Sequence, residues 1–368
     1  MTPETIQKSL AFYDITPLKI HPVQTGYRNK SYHIETSDDQ NLNLIFYKSE
    51  PDILARIKRT DHLAQIAHDQ NLPVRHLADP RTLTLRSKSK TTYARLYHYL
   101  PGRTIAWEMF SMKHIKLLGQ AMSDLHLSLK DTRTIDLPLA TDELITQLAY
   151  MQKYFTDPGV TSAISIKLHL QVLLKIFPTL QKTLIETTKL PAQPIHLDLV
   201  RGNVLFMNIS SASTRDTQFA TSYYAGRRVF SDETRDDELE EWRRDECSAE
   251  ASNWSIGNIQ LTGLIDFEKS ALGPPILDLA RTYAFLLADC AHKTEQQIHK
   301  YLIHSGYNKR GRSQIHPNPK LFTQLVNYFL IHDFYKFLAH NPYESLARNH
   351  HFLRTRDLLL ARKVITTK

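Results

Sequence analysis

The stretch Pro194-Ile195-His196-Leu197-Asp198-Leu199-Val200-Arg201-Gly202-Asn203-Val204-Leu205-Phe206 decides the fold, and a second, Leu264-Ile265-Asp266-Phe267-Glu268, answers it. In the first, an Asp and an Asn five positions apart leave a loop and enter an apolar strand. In the second, an Asp ends another apolar strand. If the strands pair antiparallel, the start of one lies opposite the end of the other. Asn203 and Asp266 then face each other as oxygen ligands, with Asp198 one loop away. Mg²⁺ takes hard oxygen donors and keeps several waters, so an amide oxygen and a carboxylate suffice to hold it. Asp198 can accept the proton of an attacking hydroxyl. Phosphoryl transfer needs little else beyond donors for the nucleotide. Each of the three also has an ordinary structural reading, as a turn or strand-end cap.

The rest of the chain sets bounds. Its 368 residues suffice for two or three domains or one bilobal enzyme. Composition is that of a soluble globular protein, and no apolar run approaches the roughly 18–20 residues of a membrane span. Met1-Thr2-Pro3-Glu4 reads as a capped helix start and not as a signal peptide. Two cysteines, Cys247 and Cys290, exclude a disulfide framework or a four-thiolate zinc site, and a reducing cytoplasm is expected. No His pair shows zinc spacing with a Glu between. The formal charge of +8 favours anionic partners such as nucleotides and argues against polycationic substrates.

Residues 1–100 read as a small mixed lobe. A helix over about 3–13 precedes strands Leu18–Gln24, Lys30–Thr36 and Leu42–Lys48, the last two joined by the turn Ser37-Asp38-Asp39-Gln40-Asn41. Pro51-Asp52 opens a helix with apolar face Ile53, Ile57, Ala64 and Ile66-Ala67, ending at Asn71-Leu72-Pro73. Strands near Thr82–Arg86 and Thr92–Tyr99 follow. Leu100-Pro101-Gly102 is the breaker, and residues 101–368 turn mainly helical, with helices over Lys113–Leu129, Ser162–Thr187 and Lys320–His340. Residues 209–256 differ: polar and aliphatic-poor, they read as a disordered or loosely helical insertion, with a lid as the alternative. The C-terminal segment with Arg348, Arg354, Arg356, Arg362 and Lys363 reads as an amphipathic helix with a solvated basic face, and not as a nucleic-acid contact.

At this point the sequence resembles the aminoglycoside phosphotransferase and choline kinase family. His196-x-Asp198-x-x-x-x-Asn203 is similar to its catalytic motif and Ile265-Asp266-Phe267 to its metal segment. Gly273-Pro274-Pro275-Ile276-Leu277-Asp278-Leu279-Ala280 is similar to its Gly-Pro…Asp-Leu-Ala run. Leu100-Pro101-Gly102-Arg103 and Gly119…Leu125-His126 are weaker matches. The resemblance implies an α+β, bilobal protein-kinase-like fold: a small antiparallel sheet lobe with one long helix, then a larger helical lobe. It implies ATP and Mg²⁺, with Asp198 as base, Asn203 and Asp266 on the metal, and His196 bracing the loop. Asp278 is expected to hydrogen-bond backbone, and His126 to pack between helices.

Two features depart from the pattern or are thin. Leu197 stands where the family has Gly between His and Asp. Ile45 stands on the third strand where the family has a phosphate-pairing Lys, with Arg59-Thr60-Asp61 near the expected helix Glu. The loop Thr25-Gly26-Tyr27-Arg28-Asn29-Lys30-Ser31 resembles the phosphate-covering loop, so Gly26, Arg28, Asn29 and Lys30 are the nucleotide-binding candidates; a plain hairpin turn is the alternative. Lys48 alternates to the opposite face. The expectation is an ATP-dependent phosphotransferase acting on a hydroxyl of a small molecule. The rivals are a pseudokinase-like binding protein, motivated by Ile45, and a Ser/Thr protein kinase. Acceptor identity and oligomeric state carry no portable motif.

Overall fold

In a computed structural model of the chain, the described residues are 1–368 except 23, 26–28, 88–89, 107–108, 133–135, 161–167, 209–229, 232–258, 311–317, 342–345, 347 and 368. Helix α1 (Pro3–Phe12) begins as the sequence predicts: Thr2 accepts the Thr5 amide at 3.3 Å and Pro3 opens the first turn. A six-stranded sheet follows, built from β1 (Pro17–Ile20), β2 (Gln24–Thr25), β3 (Lys30–Thr36), β4 (Asn41–Phe46), β5 (Leu83–Arg86) and β6 (Thr91–His98). The order is β1-β3-β4-β6-β5, with β2 also on β3, and every pairing is antiparallel. The single strand predicted over Leu18–Gln24 is split, because Pro22 has no amide proton to give the ladder.

Period-two alternation gives the sheet two apolar faces. Leu42, Leu44, Phe46, Ala94 and Leu96 pack on Ile6 and Leu10 of α1. Ile45, Tyr47 and Tyr97 face the other way, onto Ile53 and Ile57 of the long helix α2 (Ile53–Asp69). The remainder is mainly helical: α3 (Met112–Leu129), α4 (Ala140–Thr156), α5 (Leu170–Thr187), α6 (Ile276–Asp289), α7 (Glu295–His299), α8 (Pro319–His340) and α9 (His350–Ala361). Helix α7 continues as π-helical turns over Lys300–Tyr307. A Cβ on Gly119 of α3 would lie 2.2 Å from the Leu302 carbonyl oxygen, and one on Gly306 would lie 3.0 Å from Gly119 Cα. Glycine at both positions therefore lets α3 and the π-helical turns meet backbone to backbone.

Between the sheet and the helices lie β8 (Gln193–Ile195), β9 (Val204–Asn208), β10 (Phe230–Ser231), β11 (Ile259–Leu264) and β12 (Ala271–Gly273). Strands β9 and β11 pair antiparallel, as do β8 and β12. The linker reaches this layer directly: Arg103 and Phe206 exchange both backbone hydrogen bonds at 2.9 Å. Gly102 holds φ 103°, and a Cβ there would strike Thr262 Oγ1 at 2.2 Å, so only glycine passes.

The helices expected over Lys113–Leu129 and Lys320–His340 are present within one residue. The described part of the Ser162–Thr187 prediction begins as a strand, β7 (Leu168–His169), paired with β13 (Thr366–Thr367), and becomes helical at Leu170. Of the 209–256 insertion only Phe230–Ser231 is described, as an edge strand on β11, so its expected disorder lies outside the described residues. Helix α9 buries Phe352, Thr355 and Leu359, but its basic face is not simply solvated. Arg354 donates to the Leu287 carbonyl, and Arg362 to Glu295 and Asn327. No described helix is long and apolar enough to cross a membrane.

Candidate active site

The β9/β11 register brings the two opening motifs together. Val204 pairs with Leu264, and the Ile265 amide donates to the Asn203 carbonyl at 3.0 Å. Asn203 and Asp266 thus flank one ladder end, as the antiparallel reading predicts. Asn203 Nδ2 donates to the Asp198 carbonyl at 2.8 Å and leans on Asp198 Oδ2 at 3.3 Å. Among the described residues, Asn203 Oδ1 and the Asp266 carboxylate have no hydrogen-bond or ion-pair partner. Asp266 holds φ 66°, a left-handed conformation that Asp tolerates better than most residues.

Asp198 is buried, and its carboxylate is claimed on both sides. Arg281 Nη2 donates to Oδ1 at 2.9 Å and Lys269 Nζ to Oδ2 at 2.8 Å. Burial works against the charge, but Arg281 and Lys269 outweigh it and hold the carboxyl below its ordinary pKa. It is a permanently ionised, weakly basic acceptor at neutral pH.

His196 is fully buried, and burial lowers its pKa against the pull of Asp278, Asp198 and Asp266. The Asp198 amide donates to Nδ1 at 3.3 Å, so Nε2 carries the proton and donates to the Ile265 carbonyl at 3.1 Å. A neutral imidazole therefore bridges the His196–Asn203 loop and the Asp266 segment. The loop is clamped from behind by Asp278 of α6. Its carboxylate accepts the amides of His196 (2.8 Å) and Leu197 (2.5 Å) and faces His126 Nε2 at 2.9 Å. His126 Nδ1 in turn meets the Tyr307 hydroxyl at 2.7 Å. Asp278 and His126 hold the positions the sequence assigns them: backbone anchor and interhelix packing.

On the sheet side the candidates fare unevenly. Gly26 and Arg28 lie outside the described residues. Lys30 is exposed at the start of β3. Asn29 is fixed from both ends: Nδ2 donates to Glu268 Oε1 at 2.7 Å, and Oδ1 accepts the Lys48 amide at 3.1 Å. The hairpin loop is thereby tied to the residue two beyond Asp266.

Ile45 is buried in the apolar face that meets α2. Its ladder partner is Arg95, which makes two hydrogen bonds to Asp61 Oδ2 at 3.0 and 2.7 Å. Tyr97 donates to Asp61 Oδ1 at 2.8 Å and shares a 2.5 Å hydrogen bond with Tyr47. The acid expected on α2 is therefore Asp61, and its cation comes from the neighbouring strand. Over the Tyr97 ring, 4.7 Å from its centroid, lies the Arg75 guanidinium. Burial disfavours its charge, but the Tyr47 and Tyr97 phenols and the Asp266 and Asp61 carboxylates more than restore it.

Arg75 emerges from the turn after α2, where the Arg75 amide donates to the Leu264 carbonyl at 3.3 Å. Its guanidinium has no hydrogen-bond or ion-pair partner among the described residues. Sequence spacing alone missed Arg75, Arg95, Lys269 and Arg281. Only the charge excess hinted at them. The described residues also bring His21, His33 and Glu35 within 4.8 Å. No sequence spacing announced that cluster. The two rings stack 7° from parallel, so their in-plane lone pairs do not converge, and each Nε2 already meets a protein oxygen.

A family model described as a phosphotransferase enzyme family matches residues 19–210, more than half the chain and inclusive of the His196–Asn203 loop. The chain belongs to that family. It is a phosphotransferase, and the resemblance drawn from its motifs stands. The phosphotransferase is also similar in fold to a microcompartment-associated aminopropanol kinase. Identity there is 13%, coverage 99% of this chain and 98% of that one, and the TM-score 0.63. An amicoumacin kinase in complex with AMP-PNP, Ca²⁺ and Ami is 12% identical over 98% of this chain and 94% of that one, at TM-score 0.63. A choline kinase from Cryptosporidium parvum is 12% identical over 99% and 98%, at TM-score 0.53. These likenesses establish the α+β, kinase-like fold. No curated protein matches.

Proposed function

We propose that this phosphotransferase moves the γ-phosphate of ATP to a hydroxyl of a small molecule, with residues 1–100 as the nucleotide lobe and 101–368 as the catalytic and acceptor lobe. One observation carries the reading: Asp198 is held ionised beside Asn203 and across a β-ladder end from Asp266. The donor set fits a hard divalent ion, because Asp266 and Asn203 Oδ1 offer oxygens that no described residue takes up. Mg²⁺ held there would neutralise charge on the β- and γ-phosphate oxygens. Similar kinases, one with a nucleotide analogue and Ca²⁺, support nucleotide and divalent metal use.

Asp198 orients the acceptor hydroxyl and takes its proton as the O–P bond forms. Its lowered pKa makes it a weak base, which suits a loose transition state in which proton transfer is late and positioning dominates. His196 keeps the loop and the Asp266 segment at fixed separation. Arg75 stands in for the absent third-strand lysine: its unpaired guanidinium lies in the field of both Asp61 and Asp266, as the family's lysine would. The Arg95–Asp61 pair replaces the lysine–glutamate pair in ordering α2. These two cations are the observations set against the pseudokinase reading, which Ile45 motivates. Asn29 and Lys30, with Gly26 and Arg28, remain the proposed edge over the phosphates, and the cytoplasm the proposed location.

Asp198→Asn keeps shape and hydrogen bonding but not proton acceptance. ADP release with a working acceptor should fall at least about a hundredfold, while Mg·ATP still raises the melting temperature. Undiminished turnover in that variant defeats the assignment.

A further inference from the structure

Two cations hold Asp198, and they are not alike. Arg281 of α6 donates Nη2 to Oδ1 at 2.9 Å, and its side chain is only 9% exposed. Its guanidinium lies 5.7 and 5.9 Å from the centroids of the Phe285 and Phe329 rings, so it is a fixed part of the helical lobe. Lys269 meets Oδ2 at 2.8 Å, and its side chain is 44% exposed. Among the described residues Lys269 has no other hydrogen-bond or ion-pair partner. An ammonium on a flexible stem, held by one contact at the solvent edge, exchanges partners at little cost.

The backbone beneath that stem is fixed. Lys269 ends the short helical turn Phe267–Lys269, which starts straight after Asp266. The Ser270 amide closes the turn onto the Phe267 carbonyl at 2.9 Å. The Phe267 ring is buried against His196, with 4.6 Å between ring centroids. The segment that carries the proposed metal ligand therefore also delivers a movable cation to the proposed base. It delivers that cation to one particular oxygen. Oδ2 is the oxygen that Asn203 Nδ2 approaches at 3.3 Å, whereas Oδ1 is turned to α6. Asn203 and Asp266 mark the phosphate side of the site, so an attacking hydroxyl meets Oδ2, where Lys269 already sits. In such an attack the reacting oxygen and phosphorus come within about 3–3.5 Å of each other. The phosphoryl oxygens then fall within the swing of the Lys269 stem.

Resting on the kinase reading above, we infer that Lys269 is a further catalytic residue: it covers Asp198 Oδ2 until the acceptor hydroxyl takes that oxygen, then moves to the transferring phosphoryl group. The acceptor oxygen bonds to the γ-phosphorus, and the bond from that phosphorus to the β–γ bridging oxygen breaks. ADP leaves with the electron pair, and the hydroxyl proton passes to Asp198 Oδ2. Lys269 stays protonated throughout. It offers its donors to the equatorial oxygens, over which a loose transition state spreads its charge. Arg281 keeps its place and holds the carboxylate during the exchange.

The test uses the full chain with ADP, Mg²⁺ and fluoroaluminate, a mimic of the flat phosphoryl group that calls for no known acceptor. Titration calorimetry reads the affinity for ADP with and without it. Lys269→Gln should leave ADP affinity within about twofold and weaken the fluoroaluminate complex at least about tenfold. Unchanged ADP affinity also certifies the fold of the variant. Lys269→Arg should recover part of the loss, since a guanidinium reaches the same oxygens. Asp198→Asn loosens the hold on the lysine and should tighten the complex, a gain that the double variant Asp198→Asn, Lys269→Gln should lack. A lysine that only steadies Asp198 shows no such coupling.

Fluoroaluminate affinity unchanged in Lys269→Gln overturns the inference, as does a wild type that gains nothing from fluoroaluminate. An equal loss for ADP alone also overturns it, because the lysine would then serve the β-phosphate. The two readings fail apart. Turnover of ATP abolished in Asp198→Asn, with fluoroaluminate binding indifferent to Lys269, leaves the kinase reading intact and sinks this one. Undiminished turnover in Asp198→Asn sinks the kinase reading whatever Lys269 does.

Discussion

The Leu197 amide donates to Asp278 Oδ1 at 2.5 Å, across 81 residues of chain. With the His196 amide and His126 on the other oxygen, it makes one buried carboxylate the anchor of the loop that carries Asp198, the proposed base. Asp278→Ala strands two amides and an imidazole without their acceptor. The expected cost is about 3–5 kcal/mol of stability, the range for breaking a buried charged cluster. Equilibrium urea unfolding reads it. Turnover should fall with it, because Asp198 is the next residue in the loop. A stable, active alanine variant would mean that the loop holds itself.

Leu197 adopts φ 56°, the left-handed region that costs a residue with a Cβ about 1–2 kcal/mol. Yet its side chain is 3% exposed and belongs to the main core. Leu197→Gly relieves the backbone but removes about 1.5–3 kcal/mol of apolar burial. It also widens the unfolded ensemble by about a further 1 kcal/mol. The sign is therefore destabilising, by about 1–2 kcal/mol, with kcat preserved because the Asp278 clamp acts on backbone amides. Denaturation and steady-state kinetics on one preparation check both halves.

These two positions show where sequence reasoning reached and where it stopped. The β9/β11 juxtaposition was legible because strand pairing converts a linear motif into a geometry with few alternatives. The sheet lobe was legible through alternation and turn residues, except at Pro22, where one missing amide split a strand. Arg75 and Arg281 were not legible. Each is a lone arginine in unremarkable context, and its role depends on which carboxylates tertiary packing brings near. Leu197 shows in the sequence only as a departure from the family's Gly, and its positive φ is visible only in the structure.

Asp266 and Asn203 make a falsifiable pair for the metal. Asp266→Asn removes the only anionic oxygen of the two proposed ligands while keeping size. The Mg²⁺ concentration needed for half-maximal ADP release should rise at least about tenfold, with ATP alone still shifting the melting temperature. An unchanged Mg²⁺ requirement would move the metal site elsewhere.

His351 supplies a pH signature independent of chemistry. Its folded pKa is raised from 6.5 to about 10, burial being outweighed by its hydrogen bonds to Asp289 and Asp333. A raised folded pKa gives stability that is complete below pH 6.5, declines above it, and is gone above about pH 10. Melting temperature in wild type should fall across that window faster than in His351→Gln. Parallel curves for the two proteins would show that the histidine is not charged in the folded state.

Arg75 carries the last test, because it decides whether Ile45 marks an impaired enzyme or a relocated cation. Its guanidinium rests 4.7 Å over Tyr97 and has no hydrogen-bond partner among the described residues, so its removal strands no donor and acceptor pair. Arg75→Ala should therefore leave stability within about 1–2 kcal/mol while raising the ATP KM about tenfold to hundredfold, the loss of one charge-assisted phosphate contact. The acceptor KM should not move. Arg75→Lys should recover part of the nucleotide affinity, since a point charge still binds phosphate but without the planar fork. If ATP binding is unaffected in Arg75→Ala, the cation that replaces the third-strand lysine lies instead in the loop that carries Arg28 and Lys30. In that case Lys30→Gln would produce the tenfold change.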